Sequence, residues 1–118
     1  SHSGEFILAV FAVGMDIGVD VQEMAECPDY REIAENFYTA EEAEDVKNEG
    51  PDLFFQYWAA KEAYVKALGI GLGRGMDFFS VRNEKIAEKD KKDQDWFLYP
   101  VRIKGYAAYV AAHKKGDR

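Results

Sequence analysis

Lys61, Glu62 and Lys66 fall inside the segment WAAKEAYVKALGIG, Trp58 to Gly71, which otherwise reads as a buried helix. Turned at about 100° per residue, Phe54, Trp58, Val65 and Leu68 share one apolar stripe. Lys61 projects into that stripe, Glu62 borders it, and Lys66 follows one turn beyond Glu62 on the same side. Charges there are costly to desolvate unless a partner compensates. The plainest arrangement is a Glu62 and Lys66 pair at i,i+4, worth about 0.2–0.5 kcal/mol, with Lys61 snorkelling to water. A second carboxylate stands at the edge of another apolar element. In IGVDV, Ile17, Val19 and Val21 alternate with Gly18, Asp20 and Gln22, the period of a strand, so Asp20 and Gln22 share its polar face. One carboxylate from a strand end and one from a helix, brought together, form a hard oxygen site suited to Mg²⁺. Such a cation with lysines nearby is the arrangement phosphoryl chemistry needs.

The elements that must position these groups follow from local signals. Phe6 to Val13, continuous and apolar and ending at Gly14, reads as a buried strand, and the 17–22 alternation as a second. Asp29 is placed to cap a helix from Tyr30 to Tyr38, with Ile33, Ala34 and Phe37 inward. Thr39 and Glu42 form a capping box opening an acidic helix to about Lys47, whose carboxylates read as a solvated face. Asp52 is placed to cap the longest helix, Leu53 to Leu68, with Tyr57 and Tyr64 on the side away from its stripe. Gly69 closes it. The run GIGLGRG follows a helix instead of opening one, so it reads as a closing turn and not a phosphate cradle. DFFSVRN reads as a short strand, KIAEKDKKDQD as a charged hairpin tip, and WFLYPVRI and YAAYVAAH as strands joined by a tight turn at Lys104 and Gly105. Strands first, helices in the middle and a closing antiparallel set predict an α+β fold, an antiparallel sheet packed on a long helix.

Composition bounds the function. A chain of 118 residues is the size of one domain, and 47% hydrophobic against 31% charged residues is a globular balance. With 22 acidic against 15 basic residues the formal charge is −7, which argues against a nucleic-acid partner. Cys27 is the single cysteine, so an internal disulfide and a cysteine-rich metal site are excluded and a cytoplasmic, reducing setting fits. The run Phe6 to Val13 is far below membrane-spanning length and lacks the basic lead of a signal peptide, so no membrane role is expected. The chain opens SHSGEF without an initiator methionine, as a cut within a longer protein or a tag remnant would.

Four pieces in order, SHSG at 1–4, IGVDVQE at 17–23, FFQYWAAKEAYVKALGIGL at 54–72 and FFSV at 78–81, resemble the 4′-phosphopantetheinyl transferases. The likeness is to the C-terminal half of the surfactin-synthetase-activating type, and it makes SHSG native sequence. It implies one half of that family's pseudo-dimer fold, as a single domain over residues 1–118, and transfer of the phosphopantetheine arm of coenzyme A to a serine of an acyl or peptidyl carrier protein. Adenosine 3′,5′-bisphosphate is then released. Position by position, the resemblance makes Asp20 and Glu62 ligands of Mg²⁺, with Gln22 where the family often has a third acid. Glu62, or a water it holds, would deprotonate the serine, and Lys66 would stabilise charge on the phosphate. Lys61 would assist at coenzyme A or fix the helix, and His2 with Ser1 or Ser3 would hold a nucleotide phosphate. The family type has two similar halves, and the first is not in this chain, so self-association or a separate N-terminal half is expected. The alternative reading is a module that binds coenzyme A or a carrier protein without turnover.

Overall fold

The structure is a computed structural model, and it describes residues 2–3, 6–7, 15–69, 75–88 and 96–114. Two short strands, β1 (His2–Ser3) and β2 (Phe6–Ile7), pair antiparallel. The remainder of the expected first strand, 8–13, lies outside the described residues. Next come β3 (Met15–Glu23) and three helices, α1 (Tyr30–Phe37), α2 (Ala40–Glu49) and α3 (Pro51–Leu68). A two-residue strand β4 (Phe79–Ser80) pairs with β5 (Ala87–Glu88) around a 3₁₀ turn at Arg82–Glu84. The chain closes with β6 (Trp96–Ile103) and β7 (Tyr106–Lys114), joined by the expected turn, where Gly105 takes φ 81°.

The main sheet has the order β3-β7-β6, antiparallel throughout. Directly opposed residues in such a sheet share a face. Asp20, Tyr109 and Pro100 therefore lie in one row, and Gly18, Ala111 and Leu98 in the next, on the face that α3 covers. Gly18 explains how closely α3 approaches: a Cβ built there would sit 1.9 Å from the Ala63 carbonyl oxygen and 2.4 Å from the Ala67 nitrogen. The helix meets the sheet through Ala63 and Ala67, so backbone lies almost on backbone.

The opposite side of α3 carries the large residues. Phe54 stacks on Tyr38 at 5.6 Å between centroids and meets Tyr30 at 6.0 Å, joining α3 to α1. Because α3 lies between the sheet and the two short helices, it is buried nearly all round. Tyr57 and Tyr64, expected on an outer side, are both buried. Tyr57 donates to Asp45 Oδ2 at 2.7 Å, and the Tyr64 hydroxyl bonds the Glu88 carboxylate. Phe37 departs the other way: it is 47% exposed, while Ala34 and Tyr38 fill the interior.

The helix ends match unevenly. The Thr39 and Glu42 capping box is present, and Gly69 closes α3 in the left-handed conformation at φ 73°. Asp29 occupies the N-cap of α1 without a side-chain hydrogen bond. Asp52 sits inside the first turn of α3, which instead begins at Pro51 after Gly50 with φ 98°. Proline suits a first helical position because its missing N–H has no intrahelical acceptor.

Candidate active site

On α3, Glu62 lies about 100° round from Lys61 on one side and from Ala63 on the other. Ala63 meets the sheet and Lys61 points to the opposite side, which leaves Glu62 on the flank nearest β3. Two residues beyond Gly18, Asp20 rises on the same sheet face and is buried. The close contact at Gly18 thus brings the two carboxylates near enough for the Asp20 charge to act on Glu62. Lys66, one turn along, donates to Asp20 Oδ1 at 2.8 Å with its ammonium 3.5 Å from the Val19 carbonyl oxygen. Beside the expected i,i+4 neighbour Glu62, on which its charge acts, Lys66 thus forms a cross-element ion pair, in which the Lys66 side chain is 43% exposed.

The electrostatics are those of an anion pair short of cations. Burial raises the Asp20 carboxyl above its ordinary value of 3.8, opposed by the hydrogen bond and charge of Lys66. Burial likewise raises Glu62 above 4.5; the Asp20 charge adds to the rise and Lys66 opposes it. Two like charges held together and partly desolvated disfavour joint ionisation unless a cation joins them.

These residues fit a small hard cation. Mg²⁺ commonly takes one or two carboxylates and completes its shell with water and substrate phosphate oxygens. Among the described residues no group of three or more acidic, histidine or cysteine side chains converges on one point, so Asp20 and Glu62 remain a pair. Gln22 follows Asp20 on the same face, but it lines an apolar cleft with Ile33, Phe54, Phe55 and Trp58. Its amide nitrogen donates to the Glu23 carbonyl at 3.3 Å.

Lys61 needs correction as a coenzyme A contact. It is fully buried, with its ammonium 2.7 Å from Glu42 Oε1, and it donates to the Met76 and Phe79 carbonyl oxygens at 2.7 and 2.6 Å. An ammonium has three donors, and all three are used inside the protein. Glu42 is equally buried, so it does not belong to the solvated face expected of α2. The capping box was visible in the sequence; the role of its carboxylate as counter-ion to Lys61 was not. Ser1 and Arg74 lie outside the described residues, as do the side chains of His2 and Ser3.

A model of the 4′-phosphopantetheinyl transferase superfamily matches residues 16–112, and the chain belongs to that family. It is 36% identical over 86 residues to the 4′-phosphopantetheinyl transferase Sfp of Bacillus subtilis, covering 70% of this chain and 37% of the relative. It is 26% identical to the rat L-aminoadipate-semialdehyde dehydrogenase-phosphopantetheinyl transferase, over 99% of this chain and 45% of the relative. The chain therefore spans well under half the length of these relatives. In fold it is similar to a holo-(acyl-carrier-protein) synthase from Bacillus anthracis solved with CoA (3′,5′-ADP). The TM-score is 0.64 at 22% identity, covering 86% of this chain and 96% of that one. The α+β architecture is that of the family.

Proposed function

We propose that this chain carries the metal-bearing half of a 4′-phosphopantetheinyl transferase, which moves the 4′-phosphopantetheine of coenzyme A to a serine hydroxyl of an acyl or peptidyl carrier protein. The observation that carries the reading is the electrostatic coupling of Glu62 on α3 to Asp20 on β3, with Lys66 hydrogen-bonded to Asp20. The serine oxygen forms a bond to the β-phosphorus of coenzyme A. The bond from that phosphorus to the bridging oxygen breaks, and adenosine 3′,5′-bisphosphate leaves with the electron pair. Asp20 and Glu62 would hold Mg²⁺, which when bound offsets pyrophosphate charge in a domain of net charge −7. Glu62, raised by its surroundings toward working pH, accepts the serine proton directly or through a water. Lys66, half in solvent, turns from Asp20 toward the charge developing on the phosphate. Ser1, His2 and Ser3 keep their proposed role at the nucleotide phosphate, and Gln22 its place as a neutral neighbour of the metal.

The outer face of the sheet supports association. Ile17, Ala112 and Phe97 form one row, Val19, Val110 and Tyr99 the next, and Val21, Ala108 and Val101 a third. Phe97 and Tyr99 stack at 6.0 Å and remain 47% and 53% exposed. We assign this exposed part to a second copy of the chain, because large aromatic rings left in solvent on a largely apolar sheet face suit an association surface. Light scattering showing a dimer or larger assembly that Tyr99→Lys dissociates supports the assignment; a monomer overturns it. A reducing cytoplasmic location belongs to the same proposal. Among the described residues no helix is long and apolar enough to cross a membrane.

Titration calorimetry with coenzyme A tests the reading. Binding with Mg²⁺ that weakens at least tenfold with chelator or in Asp20→Asn supports it. Equal binding in every case overturns the metal assignment and favours the second reading, a module that binds without turnover. Gln22 standing where a third acid is expected, in a chain that spans under half the length of its relatives, is the observation behind that alternative.

A further inference from the structure

The site described above uses none of the charge buried on the far side of α3. Glu42 and Lys61 are the only oppositely charged pair among the described residues with both side chains fully buried, at 0% exposure each. Their contacts join three pieces of chain. Glu42 Oε1 accepts from the Thr39 nitrogen and hydroxyl, both at 3.1 Å, and meets Lys61; Oε2 accepts from the Val81 nitrogen at 2.7 Å. Lys61 donates to the Met76 and Phe79 carbonyls and lies 4.3 Å from the centroid of the Phe79 ring. The start of α2, the middle of α3 and the 76–81 segment are therefore tied at a single point.

A buried ion pair is an inefficient way to stabilise a fold. Desolvation offsets most of the attraction, and apolar replacements of similar size are often as stable or more so. What such a pair can supply is direction, because an ammonium held by three acceptors resists rolling of the helix that carries it. Glu62 is the next residue along that helix, about 100° round. With side chains at a radius of about 5–6 Å, a 20° roll of α3 would carry the Glu62 carboxylate about 2 Å along the seam, away from its place opposite Asp20. A misplacement of about 1 Å can cost on the order of 100-fold in rate.

We propose that Glu42 and Lys61 are positioning residues, a buried ionic peg that fixes the roll of α3 and thereby sets Glu62 against Asp20. The inference rests on the proposed function for its catalytic consequence and on geometry alone for its metal-binding consequence.

The test compares the 118-residue chain with Glu42→Gln/Lys61→Met, which removes both charges and leaves none buried alone. Thermal unfolding reports the fold, Mn²⁺ binding by electron paramagnetic resonance reports the carboxylate pair, and transfer to an apo carrier protein reports kcat and KM. The peg predicts a folded double variant that binds Mn²⁺ at least tenfold more weakly, with kcat about 100-fold lower and KM for coenzyme A within about threefold. Lys61→Arg, which keeps charge and donors, recovers part of the Mn²⁺ affinity. A folded double variant with unchanged Mn²⁺ affinity overturns the proposal, as does a raised KM with kcat kept, which would make Lys61 a coenzyme A contact. If the wild-type chain binds Mn²⁺ yet transfers nothing even with an N-terminal half added, the functional reading fails while the Mn²⁺ comparison still decides the peg. A wild-type chain that binds no Mn²⁺ overturns the peg, and its transfer activity, read separately, decides the functional reading.

Discussion

Gly18→Ala should separate α3 from the sheet and weaken the site with it. The added Cβ would meet the Ala63 carbonyl oxygen at 1.9 Å where ordinary contact begins at 3.4 Å, so relief requires 3.4 − 1.9 = 1.5 Å of movement. The Ala67 nitrogen at 2.4 Å blocks escape along the helix, and both obstacles are backbone, which has no rotamer to change. Overpacking of a core typically costs about 1–3 kcal/mol, and a collision with a helix backbone belongs at the upper end, about 3 kcal/mol. For a domain of this size that corresponds to a fall of roughly 10–15 °C in Tm. A shift of α3 by even part of that distance also parts Glu62 from Asp20, so Mn²⁺ affinity should fall at least tenfold in the protein that remains folded. Circular dichroism melts of the metal-free chain read the first effect and Mn²⁺ titration below the melt reads the second. A variant within 2 °C of wild type, binding Mn²⁺ normally, would refute the claim that Gly18 sets the helix-to-sheet distance.

Three further outcomes follow from the same contacts. The raised Glu62 carboxyl contributes stability that is full below its unfolded value near 4.5 and is lost as pH rises through its higher folded value. Without metal, Glu62→Gln should therefore gain in Tm on wild type as pH rises from 4 to 7, and saturating Mg²⁺ should reverse the order; a pH-independent difference contradicts this. Transfer and Mn²⁺ binding should both fail on the acid side at a pH above 4.5, because protons compete for the raised carboxylates. Lys66→Met should lower the Tm of the metal-free chain, since it leaves the buried Asp20 carboxylate without its cation, and should lower kcat at least tenfold at saturating coenzyme A; equal kcat would remove Lys66 from the chemistry.

What was legible in the sequence was local. The Thr39 and Glu42 capping box, the left-handed Gly69 and the Gly105 turn each depend on neighbours within a few residues, and the structure contains them. The alternation of Asp20 and Gln22 against Ile17, Val19 and Val21 held because a strand's period is strict, but the faces were misassigned: the Gly18 and Asp20 face lies under α3, and Ile17 and Val19 on the other are only half-buried. What was hidden depended on distant partners. Lys66 reaches Asp20 across 46 residues, so the nearer Glu62 looked like its mate. Glu42 read only as the capping-box partner of Thr39, because nothing local shows that Lys61 and the Val81 nitrogen converge on it. Phe37 was misplaced since α1 is only eight residues long, and Ala34 with Tyr38 already fills its contact with α3. The glycine of the Gly-Val-Asp segment was recognised as a motif, but its physical reason, the Ala63 and Ala67 backbone above it, exists only in three dimensions.

The most direct measurement is the mass of an apo carrier protein after incubation with this chain, coenzyme A and Mg²⁺. Addition of one phosphopantetheine to its serine, dependent on Mg²⁺ and abolished in folded Glu62→Ala and Asp20→Asn, is the predicted result. A carrier protein left unmodified even when an N-terminal half is added, or full modification by the Glu62→Ala variant, would contradict the account.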